Sequence, residues 1–152
     1  YFADSHGNLN LINDYVKHEN LIHKIKYNGI NFGYHLHNNT GRALLNYFFM
    51  KEKKIDITDT SVLGLGKGGG NLKLEEVIPN ENFIELLEFI QKEKSHLNLK
   101  NDAILYNMIS GRANVTSNYA QHGIKEKLDL QKFYTKCLNL RGFDKDNFNK
   151  KF

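Results

Sequence analysis

Two histidines one residue apart, in His35-Leu36-His37-Asn38, are the plainest chemical signal in the chain. In an extended segment side chains alternate between faces. Both imidazoles then emerge on one side, about 7 Å apart along the strand, near enough for a nitrogen of each to turn toward one cation. Two ligands are fewer than an ion site needs, and polar residues ending a strand can satisfy the same pattern by local hydrogen bonding. The second signal is the run Gly64-Leu65-Gly66-Lys67-Gly68-Gly69-Gly70 before Asn71. Gly64, Gly66 and Gly69 match the G-x-G-x-x-G spacing of phosphate-cradling turns. The run lacks G-K-S or G-K-T and does not follow a first βαβ unit, so a plain turn competes with a dinucleotide site.

The remaining chemical residues are weaker. His6 sits in the turn Ser5-His6-Gly7-Asn8, where a solvated role competes with a place at a site mouth. Asp4, ending a strand-like segment, suits either the orientation of a ligand or the capping of a helix. Asp56 and Asp59 bracket a third strand. His18, His23 and His96 fall at exposed helical positions. Cys137, among Phe133, Tyr134 and Leu138, reads as a small core residue, and Tyr119 reads either as a packed helical Tyr or as a group reaching a substrate.

These residues need elements to hold them. Tyr1 to Asp4 is strand-like. Apolar residues from Leu9 to Ile25 recur at helical spacing, with an expected break near Asn20 and a stop at Asn28-Gly29. Ile30 to His37 reads as a strand with Ile30, Phe32, Tyr34 and Leu36 on one face and Asn31, Gly33, His35 and His37 on the other. A helix is predicted over 42–53, a strand over 55–63, and a loop at the glycines, where neither regular element is economical. A fourth strand is possible around that loop. A short helix follows Asn71 and is stopped by Pro79. Beyond it, helices are predicted over 83–94 (capped by Asn80 or Asn82), 102–109, 116–122 and 130–138. Strands alternating with helices and then helices alone predict an α/β fold of parallel βα units over 1–78 and a helical region over 79–152. That is about half of an eight-stranded barrel, which takes roughly 250 residues.

In this order the motifs resemble a known family. His35-Leu36-His37-Asn38-Asn39-Thr40-Gly41 with Ala43 and Asn46, then Asp59-Thr60-Ser61-Val62-Leu63-Gly64-Leu65-Gly66, then Gly70-Asn71-Leu72-Lys73-Leu74-Glu75-Glu76-Val77, look like the metal-dependent aldolase branch of the TIM-barrel metallolyases. These are similar to hydroxymethylglutaryl-CoA lyase, and the oxovalerate aldolases are the nearest members. Phe2-Ala3-Asp4-Ser5-His6-Gly7 resembles the family's fifth strand and turn. The resemblance implies the C-terminal half of a (β/α)8 TIM barrel, strands five to eight, followed by a helical extension. It implies His35, His37 and Asn71 as ligands of a divalent ion, Mn²⁺ foremost, with Mg²⁺, Co²⁺ or Zn²⁺ as alternatives. It further implies Asp4, Gly66 and Gly68 beside the substrate and His6 and Tyr119 as catalytic groups. Tyr119 lies in a segment, Ile109 to Ala120, that resembles the family's helices after the barrel more loosely.

The implied reaction is cleavage or formation of a carbon–carbon bond in a short 2-oxo acid through a metal-bound pyruvate enolate, with a base taking the proton of a 4-hydroxyl. Substrates would be a 2-oxo acid and an aldehyde, with a homo-oligomer expected and a dehydrogenase as a further partner. The family's ligand Asp, its enolate-holding Arg and its His base, all from the first barrel strand, have no counterpart in this sequence. With an opening at Tyr1 rather than Met, this stretch is expected to be part of a larger product, inactive without the N-terminal half of its barrel. Two alternatives stand beside the aldolase: a non-catalytic half-barrel that binds a partner, and an acyl-CoA condensing enzyme of the same superfamily. An incomplete barrel would expose strand edges and self-associate, which size-exclusion chromatography at high concentration would reveal.

Composition narrows the classes. Over 152 residues, 21 Lys and Arg against 17 Asp and Glu leave a formal charge of +4, scattered rather than gathered on a basic face, so no nucleic-acid partner is expected. One Cys excludes an internal disulfide and suits a reducing, cytoplasmic setting. No apolar run approaches the ~20 residues of a membrane span.

Overall fold

Parallel strands cannot be joined by tight turns, so each pair in such a sheet needs a crossover long enough to bury an apolar stripe on the sheet. The computed structural model describes residues 1–66, 69–97, 99, 103–149 and 152. These divide into two units, Tyr1–Ile78 and Pro79–Phe152.

The first unit runs β1 (Phe2–Asp4), α1 (Leu11–Tyr27), β2 (Gly33–Leu36), α2 (Ala43–Glu52), β3 (Ile57–Asp59), a 3-10 turn (Val62–Gly64) and α3 (Leu74–Val77). Its sheet has the order β1-β2-β3, parallel throughout, so the α/β class holds and the sheet fits part of a TIM-barrel domain. Phe32, Tyr34 and Leu36 join Leu11, Ile22, Ala43, Met50 and Leu72 in one core. Tyr34 and Leu36 are fully buried, each stabilising by about 1.5–3 kcal/mol relative to exposure.

Four expectations change. Ile30 is 59% exposed and precedes the strand, because the chain is still leaving the turn at Gly29, whose φ is +69°. The helix α1 passes through Asn20 unbroken; an exposed Asn costs only a few tenths of a kcal/mol in a helix, too little to interrupt one packed against a sheet. The third strand is three residues long, not nine. After Asp59 the chain coils into the 3-10 turn, with Leu63 in the left-handed region at φ +54°. In place of a fourth strand, residues 70–73 lay isolated bridges, His37 with Asn71 and Ser61 with Lys73. Leu72 donates to the Leu36 carbonyl and accepts from the Ser61 amide, both at 3.0 Å. This segment thus fills the space beyond the carboxyl ends of β2 and β3.

The second unit is helical: α4 (Asn80–Lys92), α5 (Ala103–Ala113), α6 (Asn118–Lys125), α7 (Leu130–Asn139) and α8 (Phe143–Asp146). The start expected at Asp102 lies outside the described residues. Phe83, Leu87, Ile90, Leu105, Ile109, Tyr119 and Phe133 are almost wholly buried. Neither Asn80 nor Asn82 caps α4. Pro79 holds the cap position without a side-chain bond, and the Asn80 amide oxygen accepts from Arg112 at 3.0 Å, whose guanidinium lies over the Phe83 ring. Asp129 caps α7 by accepting from the Lys132 amide. Among the described residues no helix is long and apolar enough to cross a membrane.

Candidate functional site

The register of the sheet decides which side chains meet. Across β1, β2 and β3, Ala3, His35 and Asp59 form one row, while Phe2, Tyr34 and Thr58 form the row before it. Alternation sends the Tyr34 row into the core and the His35 row to the other face. His37 follows on that second face. The two imidazole rings stand 5.0 Å apart between centroids with planes at 80°, a spacing that allows one nitrogen of each to approach a common point. His35 Nδ1 lies 3.3 Å from Asp59 Oδ2.

Asn71 reaches the pair through the segment after the glycine loop. Its backbone bridges to His37, held by Asn38 donating to Gly70 O at 2.7 Å and Asn71 donating to Gly64 O at 3.0 Å. The side-chain Nδ2 donates to the Leu65 carbonyl at 3.1 Å. That bond turns Oδ1 the other way, where it is buried and accepts no hydrogen bond among the described residues. A buried amide oxygen without a donor is costly unless a cation or water completes it. Two imidazoles and an amide oxygen are a donor set suited to a borderline divalent ion. Among the described residues no cluster of three or more His, Cys, Asp and Glu forms.

The loops around this face are tied by one side chain. Asn39 donates to the His6 carbonyl at 3.0 Å and accepts from the Gly69 amide, linking the turns after β1 and β2 to the glycine loop. Thr40 also bonds Gly7 O through both its amide and its hydroxyl. A Cβ at Gly69 would stand 2.6 Å from Asn39 Cα, and one at Gly66 would stand 2.7 Å from the Asn71 amide nitrogen. Gly66 therefore makes room for Asn71.

Glu75 anchors the loop from below. It is 4% exposed, and its carboxylate accepts from the amide of Leu63 at 3.0 Å, pinning the left-handed residue. Burial holds its carboxyl above the usual range, against the opposing pull of that amide and of Lys73. A carboxyl raised on folding favours the protonated folded state, so its contribution to stability is greatest below the unfolded value and declines as pH rises through the folded one. Thermal melts between about pH 4 and 7.5 should therefore show Glu75→Gln losing less stability than the wild type as pH rises.

The other expected residues separate. Asp4 is 6% exposed and spends both oxygens on the amides of Asn8 and Leu9. It caps the turn into α1, so the substrate contact expected of it is replaced by that structural role. His6 is exposed beside Asn39. Gly68 lies outside the described residues, as does the side chain of His18, while His23 and His96 are solvated and paired with Glu19 and Glu93. Tyr119, expected to reach a substrate, is fully buried in the second unit. Its hydroxyl lies 2.6 Å from Asp144 O and 3.1 Å from Asn147 O and accepts from the Asn149 amide, which leaves it the packed-tyrosine role. Cys137 is wholly buried, and burial pushes its thiol up to about 12. Buried and held protonated, it should react with iodoacetamide only after denaturant is added.

Sequence reasoning missed the partners of the site: Asp59 beside His35, Asn39 between the loops, Glu75 under Leu63. Their signals were present only in combination, since Asp59 meets His35 through strand register rather than spacing.

A family model described as HMGL-like matches residues 1–101. Among curated proteins, 4-hydroxy-2-oxovalerate aldolase of Spirochaeta aurantia is 40% identical over 50 residues, 33% of this chain and 15% of that protein. The proteins of that name from Burkholderia pseudomallei and Burkholderia thailandensis are 30% identical over 103 residues, 61% of this chain. The chain thus spans 30% of the length of the Burkholderia relatives. No solved structure matches it significantly.

Proposed function

Since the chain belongs to the HMGL-like family, we propose that it forms one side of a divalent-metal-dependent aldolase acting on a short 2-oxo acid. The reading is supported by the paired rings of His35 and His37, by the backbone bridge from His37 to Asn71 and by the buried, donorless Oδ1 of Asn71, all beyond the carboxyl end of β2, where α/β folds place their sites. His35 and His37 would hold the ion through imidazole nitrogens and Asn71 through its amide oxygen. When bound, the ion supplies Lewis acidity that favours negative charge on the oxygen of a 2-oxo group.

The chain's own residues arrange this. The bridge between His37 and Asn71 brings the two residues side by side, Gly66 leaves space for the Asn71 amide, and Asn39 ties the three loops to one another. Cleavage would release pyruvate and an aldehyde from a 4-hydroxy-2-oxo acid. The proton of the 4-hydroxyl needs a base, and we assign that task to His6, exposed on the turn that Asn39 ties to the glycine loop.

The test is electron paramagnetic resonance of the Mn²⁺-loaded chain before and after oxalate, a planar mimic of the pyruvate enolate. One bound ion whose spectrum changes with oxalate supports open positions for a 2-oxo acid. A bound ion indifferent to oxalate, or no bound ion, overturns the reading. The latter result would favour the second reading, a non-catalytic module that binds a partner.

A further inference from the structure

We propose that Asp59 is the positioning residue of the ion site, holding His35 in the tautomer that leaves Nε2 free to bind. The inference rests on the metal-site reading above and assigns work to a residue outside the proposed ligand set.

Strand register sets the contact. β2 and β3 pair so that His35 lies directly opposite Asp59, and in a parallel pair such neighbours project from the same face about 4.8 Å apart. The carboxylate Oδ2 comes within 3.3 Å of His35 Nδ1. A carboxylate only accepts, so the neutral ring must carry its proton on Nδ1 to make this contact, and Nε2 then presents a lone pair. Free imidazole side chains in water do not hold one tautomer in this way. Beside Asp59 on the same face, the Tyr1 ring crosses the flat surface of Gly33, where a Cβ would stand 2.8 Å from the ring. Gly33 shares the face of His35, two residues along β2. The absence of a side chain there is what makes room for the aromatic ring over β2. An aspartate paired with a ligating imidazole also raises the ring's basicity and fixes its plane.

Asp59 has a half-exposed side chain outside the core, so its replacement should leave the fold intact. The experiment uses the full chain in two states. Without metal, long-range ¹H–¹⁵N correlation spectra report which nitrogen of His35 carries the proton. The wild type is expected to show Nδ1–H, Asp59→Ala a shift toward Nε2–H, and Asp59→Asn, which keeps an acceptor oxygen, a return toward the wild-type pattern. With Mn²⁺, Asp59→Ala is expected to bind about 10–100-fold more weakly, with an unchanged circular dichroism spectrum.

An unchanged tautomer in Asp59→Ala, with wild-type Mn²⁺ binding intact, overturns the role of Asp59 while the site reading stands. A shifted tautomer in a chain that never binds Mn²⁺ overturns the site reading and, with it, the purpose assigned here to Asp59.

Discussion

Replacing His37 by Ala should abolish stoichiometric Mn²⁺ binding, and replacing His35 should do the same. The loss should exceed the roughly 10–100-fold that removal of a supporting hydrogen-bond partner costs, because a ligand itself is taken away. Isothermal titration of each variant, beside circular dichroism, measures it. The folded state should survive, since neither imidazole belongs to the core: Phe32, Tyr34 and Leu36 carry the burial of this strand on its opposite face. Binding that survives both substitutions would mean that the paired rings are merely the polar end of a strand.

The second large effect is on stability. Asn46 is 1% exposed on α2. Its Oδ1 accepts from the Leu11 amide at 3.1 Å and its Nδ2 donates to the Leu9 carbonyl at 2.9 Å, so one side chain satisfies two backbone groups at the start of α1. Asn46→Ala leaves both without a partner, at about 1–3 kcal/mol each. Urea denaturation should show a loss of about 2–5 kcal/mol with little change in slope. A loss below about 1 kcal/mol would show that water replaces the amide at both groups.

How far these features could be read beforehand follows from the physics of each. The alternation that put His35 and His37 on one face is local, and β2 obeys it because one face must be buried. The helices α2, α4 and α7 fell near their expected places for the same reason. Asn20 misled because propensity is weak against packing, and Ile30 because a turn consumed the residues that alternation alone would have assigned to the strand. The third strand stops at Asp59, and in the turn beyond it Leu63 takes a left-handed backbone that no propensity would assign to leucine; its amide is satisfied by Glu75, twelve residues on. Asp59 and Asn39 belong to the site through register and loop closure, which no window of sequence contains. Asn71 was reached through the resemblance of its surroundings, and its donorless oxygen is a fact of three dimensions.

Surface loops ordinarily absorb insertions and drift in composition. The three around Asn39 cannot. Gly7 and Gly69 press against that residue so closely that a single methyl group would enter its backbone or Cβ, and one amide holds the ends of two of the turns at fixed distances. This solvent-facing rim should therefore accept substitutions as sparingly as an interior does. In a deep mutational scan, residues 7, 39 and 69 should stand with Tyr34 and Leu36 among the least tolerant positions, while exposed Asn20 and Tyr27 on α1 vary freely.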